Sequence, residues 1–151
     1  MATPHHADQA LPTIVICHPK RTPMGRYGGA LKNVPAEDLA STVVTAVMKD
    51  SGLDPAAIDD LILGQASPSS AAPALGRIVA LNSGLGERVP GMQLDRRCGS
   101  GLQAITTAAA HIAAGAADLI IAGGAEPMSQ TAYAVDGSIR WGVKGGAMEL
   151  H

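Results

Sequence analysis

Cys98 stands in the segment Asp95-Arg96-Arg97-Cys98-Gly99-Ser100-Gly101-Leu102-Gln103-Ala104-Ile105, between a short apolar run, Gly91 to Leu94, and a stretch of helical periodicity. Strand, turn and helix in that order put the thiol on an elbow at a helix amino terminus. Unpaired N–H groups there carry partial positive charge, and Arg96 and Arg97 add full charges beside it, so an anion at the sulfur is favoured. Gly99, Ser100 and Gly101 leave room for an ester or thioester carbonyl, and the Cys98 N–H is placed to help hold a developing oxyanion. The other reading of Cys98 is a small buried hydrophobe, the usual state of cysteine in helical segments; position and charge leave both open. The segment is not an esterase elbow, because Gly-x-Ser-x-Gly would need glycine at position 98.

A nucleophilic cysteine needs a base or a second acid to complete a cycle. His111 follows Cys98 by 13 residues on the same helix, roughly 20 Å away at about 1.5 Å per residue, which is out of reach. His18 closes a β-branched run, Thr13 to Cys17. In a parallel sheet it would emerge on the same edge as Cys98, and the alternative is a solvated strand-end histidine. His5, His6 and His151 are expected to be exposed and inert, and Cys17 to be a structural residue inside the run. Gly25-Arg26-Tyr27-Gly28-Gly29 does not match Gly-x-Gly-x-x-Gly, and its glycines are expected to serve a turn. Glu126 follows an apolar run at a sheet edge where ligands often bind, as a site wall or as a cap on a neighbouring element. Arg77 reads as a helix-face residue, with an internal ion pair as the alternative. No Cys/His cluster has zinc-ligand spacing, so no metal is expected.

The elements that must position Cys98 follow from periodicity. Thr13 to Cys17 reads as a buried strand. From Pro35 the pattern is helical: Glu37 and Asp38 suit the first turn, Leu39, Val43 and Val47 recur every four residues, and Lys49 and Gly52 supply the stop. Ile58 to Leu63 is a second strand, Pro73 to Ser83 a second helix closed by Gly84, and Gly91 to Leu94 a third strand. The helix after Cys98 carries Leu102, Ile105, Ala109 and Ile112 as one apolar stripe and closes at Gly115. Asp118 to Ala122 is a fourth strand. Strands alternating with helices predict α/β architecture with a mostly parallel sheet. Residues 1–12 are expected to be a loose lead-in, 13–127 the ordered body, and 128–151 a Gly-rich segment without periodicity.

Composition narrows the classes. The 151 residues are 46% apolar but only 2% aromatic, so small side chains must fill the core, which suits helices lying close on a sheet. A formal charge of -2 without a basic block argues against nucleic acid. No stretch approaches the roughly 20 apolar residues of a membrane span, and two cysteines far apart fit a reducing cytoplasm.

Three segments in order, Arg21-Thr22-Pro23-Met24-Gly25-Arg26-Tyr27-Gly28-Gly29-Ala30-Leu31, the Cys98 elbow, and Ala122-Gly123-Gly124-Ala125-Glu126-Pro127-Met128-Ser129, resemble the thiolase family, as in acetyl-CoA acetyltransferases and 3-ketoacyl-CoA thiolases. They cover most of residues 13–130 and match its amino-terminal half. The resemblance implies a thiolase-like α/β fold and a two-step Claisen exchange on coenzyme A thioesters, with Cys98 becoming acylated. It implies acyl-CoA and coenzyme A as substrates, no covalently bound cofactor, and a homo-oligomer, dimer or tetramer, in the full-length family. It also places the activating histidine and the second, acid/base cysteine in a carboxy-terminal half that has no counterpart in these residues. The segment 128–151 then corresponds to the start of a coenzyme A-binding insertion. A partial gene product is expected, with a split-gene subunit, a non-catalytic binding module and a ketoacyl-synthase-like condensing enzyme as alternatives.

Overall fold

The computed structural model describes residues 12–133, 135 and 137–142. His5, His6, His151, most of the lead-in and the end of the 128–151 segment lie outside the described residues.

Helix α1, Ala36–Ser51, begins after Pro35, whose fixed φ and missing N–H suit a helix start. It ends where Gly52 takes φ 65° and donates its N–H to Met48 O at 3.0 Å. Strand β1, Asp60–Gly64, is followed by α2, Leu75–Asn82, then β2, Gly91–Leu94, helix α3, Ser100–Ala113, and β3, Ile120–Gly124. The strands pair in the order β2-β1-β3, all parallel, with Leu61 opposite both Gly91 and Ile121. Short 3-10 turns at Met128–Gln130 and Gly137–Trp141 follow.

The strand order dictates the layers. From β1 the chain crosses through α2 to β2 on one side, then returns through α3 over β1 to β3. Right-handed crossovers in opposite directions must use opposite faces of the sheet. Accordingly Val44 of α1 and Leu75 and Val79 of α2 pack with Leu61 and Leu63 on one face, while Ala104 and Ala108 of α3 pack with Ile62 on the other. Small residues permit the close approach expected from composition. A Cβ on Gly91 would stand 2.3 Å from Gly76 C, so β2 and α2 touch through their backbones.

Two expectations are corrected. Thr13 to Cys17 forms no strand: it pairs with nothing described, Val15 and Ile16 are 75% and 77% exposed, and Cys17 is exposed rather than structural. The sheet thus has three strands, not four, among the described residues. A β-branched run has strand propensity, but a strand exists only with a neighbour at about 4.8 Å, and here a gap separates the run from β3. Likewise the buried stripe of α3 is Ser100, Ala104 and Ala108, whereas Leu102 is 69% exposed.

The strand register is pinned at its start by Asp59, whose Oδ2 accepts from the N–H groups of Asp118 and Leu119 at 2.7 and 3.0 Å. These two donors, Asp118 first, hold its carboxyl below the usual carboxylate range. A carboxyl lowered by folding contributes stability above its unfolded pKa of about 4, lost as pH falls through the folded value. Thermal melts taken into acid should therefore fall more steeply for the native chain than for Asp59→Asn. Parallel curves would remove this role.

No helix among the described residues is long and apolar enough to cross a membrane.

Candidate active site at the Cys98 elbow

The elbow follows the carboxyl end of β2. Asp95 Oδ1 accepts from the Arg97 N–H at 2.7 Å, an Asx turn that tightens the exit from the strand. Arg97 takes φ 51°, an uncommon conformation for a residue with a Cβ, so the turn is held by its surroundings. The clasp is Ser100, 4% exposed. Its Oγ accepts from the Arg96 N–H at 2.8 Å and donates to Arg97 O at 2.7 Å. Cys98 stands exposed at the apex. The N–H group of Cys98 bonds to no described residue.

Beneath the elbow lies Gly64, the last residue of β1. A Cβ there would stand 2.3 Å from Ser100 C and 2.6 Å from Gly101 N. Only glycine lets the first turn of α3 rest on the strand.

The position of the elbow within the sheet is informative. The neighbouring strands β1 and β2 lead to helices on opposite faces, so a crevice opens between their carboxyl ends, the usual ligand position in an open α/β sheet. Ala66 bridges it: its N–H donates to Glu126 Oε2 at 2.7 Å, and its carbonyl accepts from Arg97 Nη1 at 3.2 Å. The structure thus gathers the exits of all three strands around Cys98. Glu126 is the cap of the sequence alternatives, since its carboxylate closes the end of β1.

Both arginines beside the thiol are engaged. Arg97 pairs with Asp95 at 3.0 Å and Arg96 donates to Gln103 Oε1, so their charges are shared with neighbours rather than aimed freely at the sulfur.

The remaining candidates fall elsewhere. Lys20 pairs with Asp50 near the end of α1, and with nearby Lys49 and His18 it keeps that carboxyl below the usual range. The end of α1 leads into the start of β1, so His18 lies at the opposite end of the sheet from Cys98, and the possible pair is not formed. His111 sits in the last turn of α3, equally remote. Gly28, at φ 66°, and Gly29, bonded to Arg26 O at 2.8 Å, make a turn as expected. Arg77 Nη1 donates to Val89 O at 2.6 Å and forms no ion pair with a described residue. Gly64 carries no signal in the sequence, Asp95 is legible only as part of the turn, and Ser100, expected to leave room at the sulfur, is instead the buried clasp. The Asp-x-Arg spacing of an Asx turn was the legible signal for one of them; the close approach that requires Gly64 and buries Ser100 is a long-range fact.

Residues 14–151 match the family model described as thiolase, N-terminal domain. Proteins named probable acetyl-CoA acyltransferase from two strains of Staphylococcus aureus are 41% and 40% identical over 137 residues, covering 91% of this chain and 35% of theirs. The crystal structure of the Bacillus anthracis acetyl-CoA acetyltransferase superposes with a TM-score of 0.78 at 37% identity, over 83% of this chain and 32% of that one. The chain spans about a third of the length of the curated relatives it matches.

Proposed function

The chain belongs to the thiolase family, matched along its N-terminal domain, and from that premise we propose that it carries the acyl-accepting half of a thiolase active site, with Cys98 as the nucleophile. The observation that supports this most is an exposed thiol at the tip of a clasped elbow, with the Cys98 N–H bonded to no described residue, in the crevice between β1 and β2.

In this reading Cys98 Sγ, as thiolate, attacks the carbonyl carbon of an acyl-CoA. The carbonyl oxygen gathers negative charge and is held by the free N–H of Cys98. As the tetrahedral species collapses, the bond from carbon to the coenzyme A sulfur breaks, and an acyl-cysteine remains. The proton released when Cys98 ionised balances the departing coenzyme A thiolate. Coenzyme A thioesters are thus substrates, with no covalently bound cofactor. Residues 13–127 are the body of a thiolase amino-terminal domain and 128–151 the start of a coenzyme A-binding insertion. The working enzyme is a cytoplasmic homo-oligomer, dimer or tetramer.

Acetyl-CoA incubated with the chain, followed by intact-mass and peptide analysis, should add one acetyl group at Cys98, and none after Cys98→Ala. Cys17, equally exposed, is the internal control. Equal acetylation of both thiols, or of neither, would overturn the assignment.

A further inference from the structure

The segment that follows β3 is bonded to two distant parts of the chain. Its first residues belong to the elbow side: Ala125 N–H donates to Gly64 O at 3.2 Å, and Glu126 accepts from Ala66, whose carbonyl in turn holds Arg97. Further on the partners change. Ser129 Oγ accepts from the Gly28 N–H at 2.9 Å, and Gln130 Nε2 donates to Lys32 O at 3.0 Å. These bonds join residues 101 and 98 positions apart, so they strap the 3-10 turn Met128–Gln130 to the Gly-rich turn that leads into α1.

Each turn is braced from within. In the first, Gly29 N–H donates to Arg26 O, Lys32 to Gly29 O and Val34 to Leu31 O; in the second, Met128 donates to Glu126 O and Gln130 to Pro127 O. Gly28 takes φ 66°, a conformation that favours glycine, and Ser129 Oγ is the acceptor its N–H has among the described residues. A turn held at one point can swivel about it. Held at both Gly28 and Lys32, the Met128–Gln130 turn is fixed in direction as well as in position.

We propose that Ser129, supported by Gln130, is a positioning residue for coenzyme A thioesters: it fixes the point and direction from which the coenzyme A-binding insertion leaves the body, and so where that insertion begins relative to Cys98. This rests on the reading of residues 128–151 as the start of such an insertion. Two tasks are divided along one short segment. Glu126 braces the elbow that carries the reacting thiol, whereas Ser129 and Gln130 set the part that meets the remainder of the thioester. Loss of the strap leaves the links from Glu126 through Ala66 to Arg97 in place, so the thiol keeps its reactivity toward a donor too short to reach the insertion. A full-length donor loses binding that is equal in ground and transition states, which raises the concentration needed without slowing the saturated step.

The test follows acetyl uptake at Cys98 of the full chain by intact mass, against concentration, for two donors: acetyl-CoA, and S-acetyl-N-acetylcysteamine, an acetyl thioester without the nucleotide. Ser129→Ala should raise the half-saturating concentration of acetyl-CoA by roughly threefold or more, the scale of one hydrogen bond, with its maximal rate and the response to the short donor unchanged. Gln130→Ala should shift it in the same direction, and Ser129→Thr, which keeps the hydroxyl, should restore the native value. Hydrogen exchange at the Gly28 amide, faster in Ser129→Ala and native in Ser129→Thr, reports the strap directly. An unchanged acetyl-CoA curve in Ser129→Ala, an equal loss with both donors, or Gly28 exchange that the substitution leaves unaltered would overturn the proposal. A native chain that takes acetyl equally well from the two donors, or from neither, would overturn the coenzyme A reading itself and the proposal with it.

Discussion

Acetoacetyl-CoA and coenzyme A offered to this chain should give no sustained thiolysis. The elbow provides a nucleophile and an oxyanion donor, which suffice for acylation by a simple thioester such as acetyl-CoA. Breaking the carbon–carbon bond of acetoacetyl-CoA also requires a group that delivers a proton to the departing α-carbon, and general acid–base catalysis of that kind contributes roughly 10²–10⁴-fold. Neither histidine among the described residues serves, because His18 lies by Asp50 at the opposite end of the sheet and His111 lies at the far end of α3. Cys17 lines a groove beside β3 rather than the elbow. Following coenzyme A consumption over many equivalents, the expected rate is equal to that of Cys98→Ala from the start. Linear turnover above that background would show that a second catalytic group had been misplaced.

The second large effect concerns two glycines. Alanine normally stabilises a helix by about 1 kcal/mol relative to glycine, yet Gly76→Ala in α2 should destabilise the chain. Its Cβ would meet Met92 O at 2.4 Å and Met92 N at 2.7 Å, backbone atoms of a paired strand that cannot move aside. Overpacking of this kind costs roughly 1–3 kcal/mol, and for a domain of this size each kcal/mol lowers the melting temperature by about 2–4 °C. Gly64→Ala carries a comparable clash against Ser100, but there the displaced backbone is the elbow itself. Both variants should melt several degrees lower. Only Gly64→Ala should also lose acetyl uptake at Cys98 in its folded fraction, since Gly76 touches β2 upstream of the elbow. Equal uptake by the two variants would separate Gly64 from the placement of the thiol.

Much of the frame was legible because its signals are local. Pro35 and Gly52 bracket α1 through their own backbone preferences, and Gly91 to Leu94 is the observed β2 to the residue. The boundaries of β1 and β3 fall one or two residues later than periodicity suggests, because strand ends depend on which neighbour is present. Thr13 to Cys17 failed for the same reason in stronger form.

At Cys98, the sequence alone determined the strand, turn and helix order and hence an elbow at a helix amino terminus, since each rests on residues within one turn of each other. Whether that thiol is accessible, which backbone lies beneath it and which histidines stay away were decided only by the tertiary structure. Those facts depend on parallel strands brought together across long chain separations, where Gly64 meets Ser100 and Ala66 links Arg97 to Glu126. The apolar stripes on α1 and α3 divide in the same way: their amphipathic spacing is local, but that they line one groove beside β3 is set by how the helices pack on the sheet.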